Sequence, residues 1–351
     1  MTNLKKTVPI FLLILFVVAA FIAWRIFGSN TNFSEGKKSF YIKTGSSFND
    51  VINELEQQKI LKNPGTFKWI AKQLNYNENV KPGKYLIENG ASIYKITKIL
   101  KSGRQTAVNL VINKLRTKED LAQKIAANFE CDSAAVINLL NNNDSLLKLG
   151  LDTNTAMTAI IPNTYSIYWN TPANRIFKKL YNEQEKFWTN ERKKTAAALN
   201  LSSQQVYTLA SIVEEESNNQ EDKGKIASVY LNRMHTGMRL SADPTVRFAL
   251  KDFSIKRVYK KYTQIISPYN TYLNAGLPPG PICTPSVKTI DGVLNAPTTN
   301  YLYFVAQPNL TGYSNFATTY KEHMVFAKQY QQWLNGYLKA KDTLLSAADE
   351  Q

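Results

Sequence analysis

After Lys5 and Lys6 the chain runs VPIFLLILFVVAAFIAW, with no charged residue from Val8 to Trp24. That length matches the ~17–25 apolar residues a helix needs to cross a bilayer core. Trp24 and Arg25, at the end of the run, suit the membrane–water interface. The small residues Ala19, Ala20 and Ala23 also fit a cleaved signal peptide, but the run is longer than the usual ~7–15-residue apolar region of a signal. The expectation is therefore a single transmembrane helix over 8–27 behind a short tail, 1–7. Lys5 and Lys6 favour a cytoplasmic N-terminus, although Arg25, Lys37 and Lys38 blunt the charge asymmetry. The simplest topology exports everything else.

The remainder of this 351-residue chain is long enough to bury a sizeable core. The formal net charge of +16 fits a polyanionic partner such as nucleic acid, acidic lipid or an anionic wall polymer. The basic residues are scattered, as in Lys256, Arg257, Lys260 and Lys261, and no zinc-finger or RNA-recognition signature accompanies them. A nucleic-acid role is therefore set aside. Two cysteines, Cys131 and Cys283, permit one disulfide without demanding it. With His235 and His323 the only histidines, the supply of ligands argues against a structural zinc.

The segment NTNFSEGKK is polar and small, and reads as a linker leaving the membrane. Beyond it lies a weak internal repeat. IKTGSSFNDVINEL (42–55) and IENGASIYKITKIL (87–100) superpose without a gap, matching Gly45 with Gly90, Ser47 with Ser92 and Val51 with Ile96. Each copy predicts a strand, a Gly turn, a Ser N-cap and an amphipathic helix. A fainter third copy runs from Ile112 through Thr117 to Ile125. From about 130 to 200 the pattern is mostly helical, broken at Pro162 and Asn163. Ser202 with Gln205 forms a capping box for the next helix. KIASVYLNRM predicts a second amphipathic helix that Gly237 ends. The C-terminal stretch after it is rich in Pro, Gly, Asn and Tyr, which suits either ordinary turns or a carbohydrate cleft.

No G-x-S-x-G elbow and no phosphate-binding Gly loop occurs, which leaves carboxylate chemistry. The helix after Ser202 ends in LASIVEEES. Helical spacing puts Glu214 beside the apolar face, where desolvation is expected to raise its pKa and keep it protonated as a general acid. Glu215 lies ~100° further round and is expected to face solvent. Glu216 lies ~200° from Glu214, so it reaches a cleft only if the helix frays there. Asp243, fixed before Pro244, is the candidate second carboxylate of the pair a glycosidase normally uses.

The segments ASIVEEES, NRMHTGMRLSADPTVRFAL, SPYNTYLNAGLPPGPICTPS and YLYFV, in this order, resemble the MltG/YceG family of endolytic murein transglycosylases. The preceding IPNTYSIY and the membrane anchor agree, and the likeness is most specific over 209–285. It implies an α+β chain: a transmembrane helix, a LysM-like strand/helix module and a mixed α+β YceG-like catalytic domain. The corresponding bounds are a linker at 28–38, the LysM-like module at 39–110, a helical connecting region at 111–200, the catalytic domain at 201–340 and a polar tail at 341–351. The implied activity is that of a lyase. It cleaves the bond between N-acetylmuramic acid and N-acetylglucosamine in nascent strands, leaves 1,6-anhydromuramyl ends and so ends strand elongation.

On the same resemblance Glu214 is the catalytic glutamate, acting as acid and then as base. Asp243, Tyr269, Asn270 and Tyr272 match family positions near the cleft and are expected to bind or support substrate, and Glu216 is expected to join them where the helix frays. The implied partners are peptidoglycan strands, the inner membrane and peptidoglycan synthases of the elongation or division machinery, with no nucleic acid, cofactor or metal. The catalytic domain is expected outside the cytoplasm, in the periplasm. Two departures stand out: INKLRTKEDL lacks an acidic-Gly pair, and Asn163 stands in Pro162-Asn163-Thr164-Tyr165 where the family often has Asp. The alternatives are a non-catalytic wall-binding or divisome scaffold, and a hydrolytic muramidase with Asp243 as nucleophile.

Overall fold

Residues 4–34 and 36–349 are described in the computed structural model of the chain, with side chains described between 8 and 339. The ends of the expected tails, 1–3 and 350–351, and Glu35 of the expected linker lie outside the described residues. The chain divides into two compact units: residues 1–110 with 126–132 and 166–172, and residues 111–125, 133–165 and 173–351.

The first unit begins with helix α1 (Leu4–Phe27). Its stretch Val8–Phe27 is long and apolar enough to cross a membrane, and it is exposed except at Arg25 and Ile26, which are partly covered. Then come β1 (Lys37–Ile42), α2 (Phe48–Gln57), α3 (Pro64–Gln73), β2 (Gly83–Glu88) and α4 (Ile93–Ser102). β1 and β2 pair antiparallel from Lys37↔Glu88 to Ile42↔Gly83, so the order is strand, two helices, strand, then a further helix. The repeat appears as the sequence predicts. Gly45 and Gly90 take φ of +83° and +77°, the left-handed region that a side chain disfavours. Ser47 and Ser92 then cap α2 and α4, accepting from Asp50 N and Lys95 N. Val51, Leu55, Ile96 and Leu100, one stripe from each helix, meet Phe40, Phe67, Tyr76, Tyr85 and Ile87 in one core.

The expected linker is a different matter. Asn30 and Thr31 are almost fully buried. Asn30 accepts from the Asn63 N–H at 3.0 Å, and its backbone bonds Ala91 and Lys62. Thr31 Oγ1 accepts from Gly90 N–H and donates to Asn89. Polar residues here satisfy backbone groups of the neighbouring module instead of water, which composition cannot distinguish.

Strand β3 (Val108–Val111) leads towards the second unit. Its remaining elements are α5 (Lys118–Ala126), α6 (Ser133–Leu140), α7 (Asn143–Leu147), β4 (Thr164–Ile167), α8 (Ala173–Phe187), α9 (Asn190–Ala198), α10 (Ser203–Glu216), α11 (Gln220–His235), α12 (Asp243–Leu250), α13 (Val287–Leu294), β5 (Tyr303–Ala306), β6 (Ser314–Ala317) and α14 (Tyr320–Asp349). Helix α14 thus runs through 341–349, where a polar tail is expected. The core of this unit is built around α10, whose residues 206–213 are all buried. Its apolar neighbours include Ile226, Ala227 and Tyr230 from α11 and Ile290, Val293 and Leu294 from α13. β5 and β6 form an antiparallel hairpin from Tyr303↔Ala317 to Ala306↔Ser314. The architecture is mixed α+β behind one apolar N-terminal helix.

Candidate active site

Helix α10 is fixed at both ends before any chemistry is considered. At its start Ser202 Oγ accepts from Gln205 N at 3.2 Å, and Ser202 N donates to Gln205 Oε1 at 2.8 Å, the expected capping box. Midway, Ser211 Oγ accepts from Ile282 N–H at 3.0 Å, and the Cys283 thiol donates to Ser211 O at 3.3 Å. These bonds hold the Gly/Pro-rich segment 276–286 against α10. Cys131 and Cys283 are both free thiols. The last helical residue is Glu216, and Ser217 is already extended, with φ −143° and ψ 141°. Three consecutive glutamates at a helix end must point about 100° apart, and each finds a different partner set.

Glu214 faces α11 and α13. Its Oε2 accepts from Lys223 Nζ at 2.9 Å, Ser286 Oγ at 3.0 Å and the Thr289 hydroxyl. Lys223 also donates to Thr289 Oγ1 at 2.8 Å. The ion pair is enclosed, with side-chain exposures of 6% for Lys223 and 15% for Glu214. The expected rise in the Glu214 pKa therefore does not occur. Burial pushes it up, but the bonds from Thr289, Lys223 and Ser286 together with the lysine charge outweigh that and hold it below the ordinary value. A carboxylate so held is a poor proton donor.

Glu215 does not face solvent, a second correction. Its side chain is 9% exposed and takes a two-pronged grip from Arg116, with Nε at 3.2 Å and Nη2 at 3.1 Å, plus Lys114 Nζ at 3.0 Å. Burial raises its pKa, yet these cations leave it lowered overall. The partners stand some hundred positions earlier in the chain, where helical phase gives no hint of them.

Glu216 is the carboxyl with the opposite character. It is half-buried, and Tyr230 on α11 donates its hydroxyl to Oε1 at 2.5 Å. Desolvation is the dominant influence and pushes its pKa up to about 7. The Tyr230 bond opposes this, the Asp243 charge adds to it, and Arg247 and Arg233 work against it. Among the described residues the Tyr230 hydroxyl is the one hydrogen-bond donor to this carboxyl.

Beside it stands Asp243, the first residue of α12, whose Oδ1 accepts from Tyr272 Oη at 2.6 Å. The Tyr272 phenol is pushed up by burial and by this carboxylate. Glu216, Tyr230, Asp243 and Tyr272 thus form one cluster flanked by Arg233 and Arg247. Arg233 is itself held by bonds to the carbonyls of Leu302 and Leu240.

Two other expected residues serve the loop around the cluster. Asn270 is fully buried. Its amide donates to the carbonyls of Thr263 and Ile265 at 2.9 and 2.8 Å, and its Oδ1 accepts from Tyr272 N–H at 3.0 Å. Both ends of that amide are engaged within the segment that presents Tyr272. Of binding and support, the bonds favour support. Tyr269 packs its ring 4.7 Å from Phe248, and burial pushes its phenol up to about 12. Tyr230, Arg233 and Lys223 are absent from the residues expected from sequence. Tyr230 lies in KIASVYLNRM, which reads from sequence only as an amphipathic helix, and its register opposite Glu216 reveals its hydroxyl's use.

In the first unit a cleft of about 790 Å3 opens between the loop 43–46, helix α2 and the segments around Asn128 and Trp169. Tyr41 and Trp169 meet edge to face at 5.0 Å on its wall, and Asp50, Glu54 and Gln58 supply polar groups. Among the described residues no group of three or more His, Cys, Asp or Glu side chains is placed to hold a metal ion.

The model of the YceG-like family matches residues 40–329, most of the chain. An endolytic murein transglycosylase of Bacillus subtilis is 28% identical over 82% of this chain and 83% of its own length. One from Streptococcus pneumoniae is 27% identical over 76% of this chain, which spans about half (53%) of that longer relative. Among solved structures, the crystal structure of a YceG-like protein from Listeria monocytogenes superposes with a TM-score of 0.56 at 28% identity, covering 83% of this chain and 98% of that one. The chain belongs to the YceG-like family.

Proposed function

We propose that this YceG-like chain is a membrane-anchored murein transglycosylase, a lyase that cuts glycan strands without water and uses Glu216 as its proton-transferring group. The observation that carries the reading is the Glu216 carboxyl, lifted to about 7 by burial at the C-terminal end of α10, with one hydroxyl donor and a neighbouring carboxylate for partners. A group that must first donate and then accept a proton works best with a pKa near the operating pH. The names of the Bacillus and Streptococcus relatives support the substrate class, murein.

The steps on this reading are these. With Tyr230 donating to Oε1, the Glu216 proton sits on Oε2 and passes to the glycosidic oxygen as the C1–O bond of the muramyl residue breaks. The N-acetyl group of that sugar stabilises the positive charge developing at C1. Glu216, now a carboxylate and still supported by Tyr230, takes the proton of the muramyl C6 hydroxyl, whose oxygen closes on C1. The result is a 1,6-anhydromuramyl end and a free N-acetylglucosamine end. Asp243, held by Tyr272, contributes negative charge beside the cationic transition state and keeps the Glu216 pKa high. Glu214, the acid and base expected from the family resemblance, is ion-paired with Lys223 and holds α10 against α11 and α13, so on this reading it stays a carboxylate. Asn270 and Tyr269 shape the loop that presents Tyr272.

The strand–helix–helix–strand order of the first unit supports a LysM-like reading of that module. Its cleft, with Trp169 and Tyr41 on the wall, supports glycan contact away from the scissile bond, since aromatic faces stack on sugar rings. Helix α1 supports a single-pass membrane protein, and Lys5 and Lys6 ahead of it favour a cytoplasmic N-terminus in the inner membrane with the catalytic unit periplasmic. A cut made beside the membrane would end elongation of strands as the synthases extrude them.

The test is an end-group assay. Full-length protein incubated with peptidoglycan should release anhydromuropeptides detectable by mass spectrometry. Glu216→Gln should lower the rate by roughly 100- to 10,000-fold, the usual worth of a positioned acid or base, while Glu214→Gln, where folded, should keep measurable turnover. Reducing ends in place of anhydro ends would point to hydrolysis. No product from the wild-type chain would favour a wall-binding scaffold.

A further inference from the structure

Helix α1 does not hang from the first unit on a loose tether. Ile26 packs against the module core, the Phe27 ring lies 5.4 Å from that of Tyr94, and Arg25 donates to Thr66 Oγ1 at 3.4 Å. Residues 28–31 then run straight into buried bonds with the module. The exit of the apolar span and the first turns of α3 and α4 therefore share one surface.

That surface has the composition of a membrane interface. Trp69, one turn beyond Thr66 and so on the same stripe of α3, is 53% exposed. Tyr94, in contact with the end of α1, is 36% exposed, and Trp24 and Phe27 are both 64% exposed. Lys98 stands one turn beyond Tyr94 with its ammonium 5.9 Å from the ring, and Lys68 adjoins Trp69. Both lysines are exposed, and neither is in an ion pair among the described residues. Lys95, by contrast, is spent on Glu88 at 2.7 Å. Exposed aromatics grouped on one surface mark an interaction site, and the headgroup zone accommodates Trp and Tyr rings and attracts lysine to lipid phosphate.

We propose that the module rests on the bilayer, with the face formed by Trp69, Tyr94, Lys68 and Lys98 set in the headgroup layer of anionic phospholipid. The occupant of this face is the membrane that α1 itself crosses, because the face is continuous with the end of the apolar span. The proposal rests on the reading of α1 as membrane-spanning. Its consequence is mechanical: the module is held at a fixed height above the bilayer rather than swinging on a linker.

The test uses the full chain in nanodiscs of phosphatidylcholine and phosphatidylglycerol brominated near the top of the acyl chains, which quench nearby tryptophan fluorescence. Subtracting Trp24→Phe from wild type isolates Trp24, and subtracting Trp69→Phe isolates Trp69. The expected result is quenching of both components to a similar extent. Quenching of Trp24 without Trp69 overturns the docked face and leaves the anchor standing, while quenching of neither removes the anchor reading and the docking with it. The double variant Lys68→Glu, Lys98→Glu should lower Trp69 quenching about two-fold in the anionic discs through repulsion from lipid charge. Unchanged quenching in that variant overturns the assignment of the lysines to lipid phosphate.

Discussion

Glu214 and Glu216 stand two residues apart on one helix and are both shielded from water, yet their surroundings drive them to opposite protonation. Burial raises the pKa of each. At Glu214 a lysine, two hydroxyls and a backbone N–H answer that burial, so the charged form is the stable one. At Glu216 one tyrosine hydroxyl answers it and a neighbouring carboxylate compounds it. Burial alone therefore does not make an acid. What decides is how many donors and cations face the carboxyl, and Glu216, the proposed proton carrier, is the under-supplied one.

The largest expected break between the two pockets is in stability. Glu214→Gln leaves the Lys223 ammonium enclosed without its counter-charge, and should cost about 3–5 kcal/mol, read by denaturant unfolding. Glu216→Gln should do the reverse at alkaline pH. A carboxyl whose folded pKa is raised above its ordinary 4.5 to about 7 is destabilising once ionised. The penalty enters as pH rises from the ordinary value through about 7, and amounts to at most about 3 kcal/mol. The Gln variant should therefore match wild type near pH 4 and exceed it above pH 7. The opposite pair of results would mean that the pockets have been assigned the wrong way round.

A smaller effect sharpens the comparison from the catalytic side. Tyr230→Phe removes the bond that favours the Glu216 carboxylate, so its pKa rises further. The alkaline limb of the pH–rate profile should move upward by roughly 1–2 pH units, the worth of a hydrogen bond to a charged group. A limb that stays in place or moves down would separate Tyr230 from the titrating group.

Much of this architecture was open to sequence reasoning where the determinants are local. The Gly45/Ser47 and Gly90/Ser92 turns, the Ser202/Gln205 box and the end of α11 near Gly237 all depend on residues within a few positions of one another. Helical phase also separated the three glutamates correctly as three directions. It gave no account of what stands in each direction. Arg116 reaches Glu215 across 99 residues, and Thr289 reaches Glu214 across 75, so the choice between a fixed carboxylate and a proton carrier lay in tertiary contacts. The same limit applies in the segment 28–38, where Asn30 and Thr31 answer to Ala91, Lys62, Asn63 and Gly90 and not to solvent.

The most direct measurement is a carbon-13 NMR titration of the glutamate carboxyls in the full-length protein, with Glu214 and Glu216 assigned by their Gln variants. Glu216 is expected to titrate near 7 and Glu214 below the ordinary 4.5. A Glu216 that titrates at or below 4.5, or a Glu214 that titrates near neutrality, would contradict the assignment of Glu216 as the proton carrier.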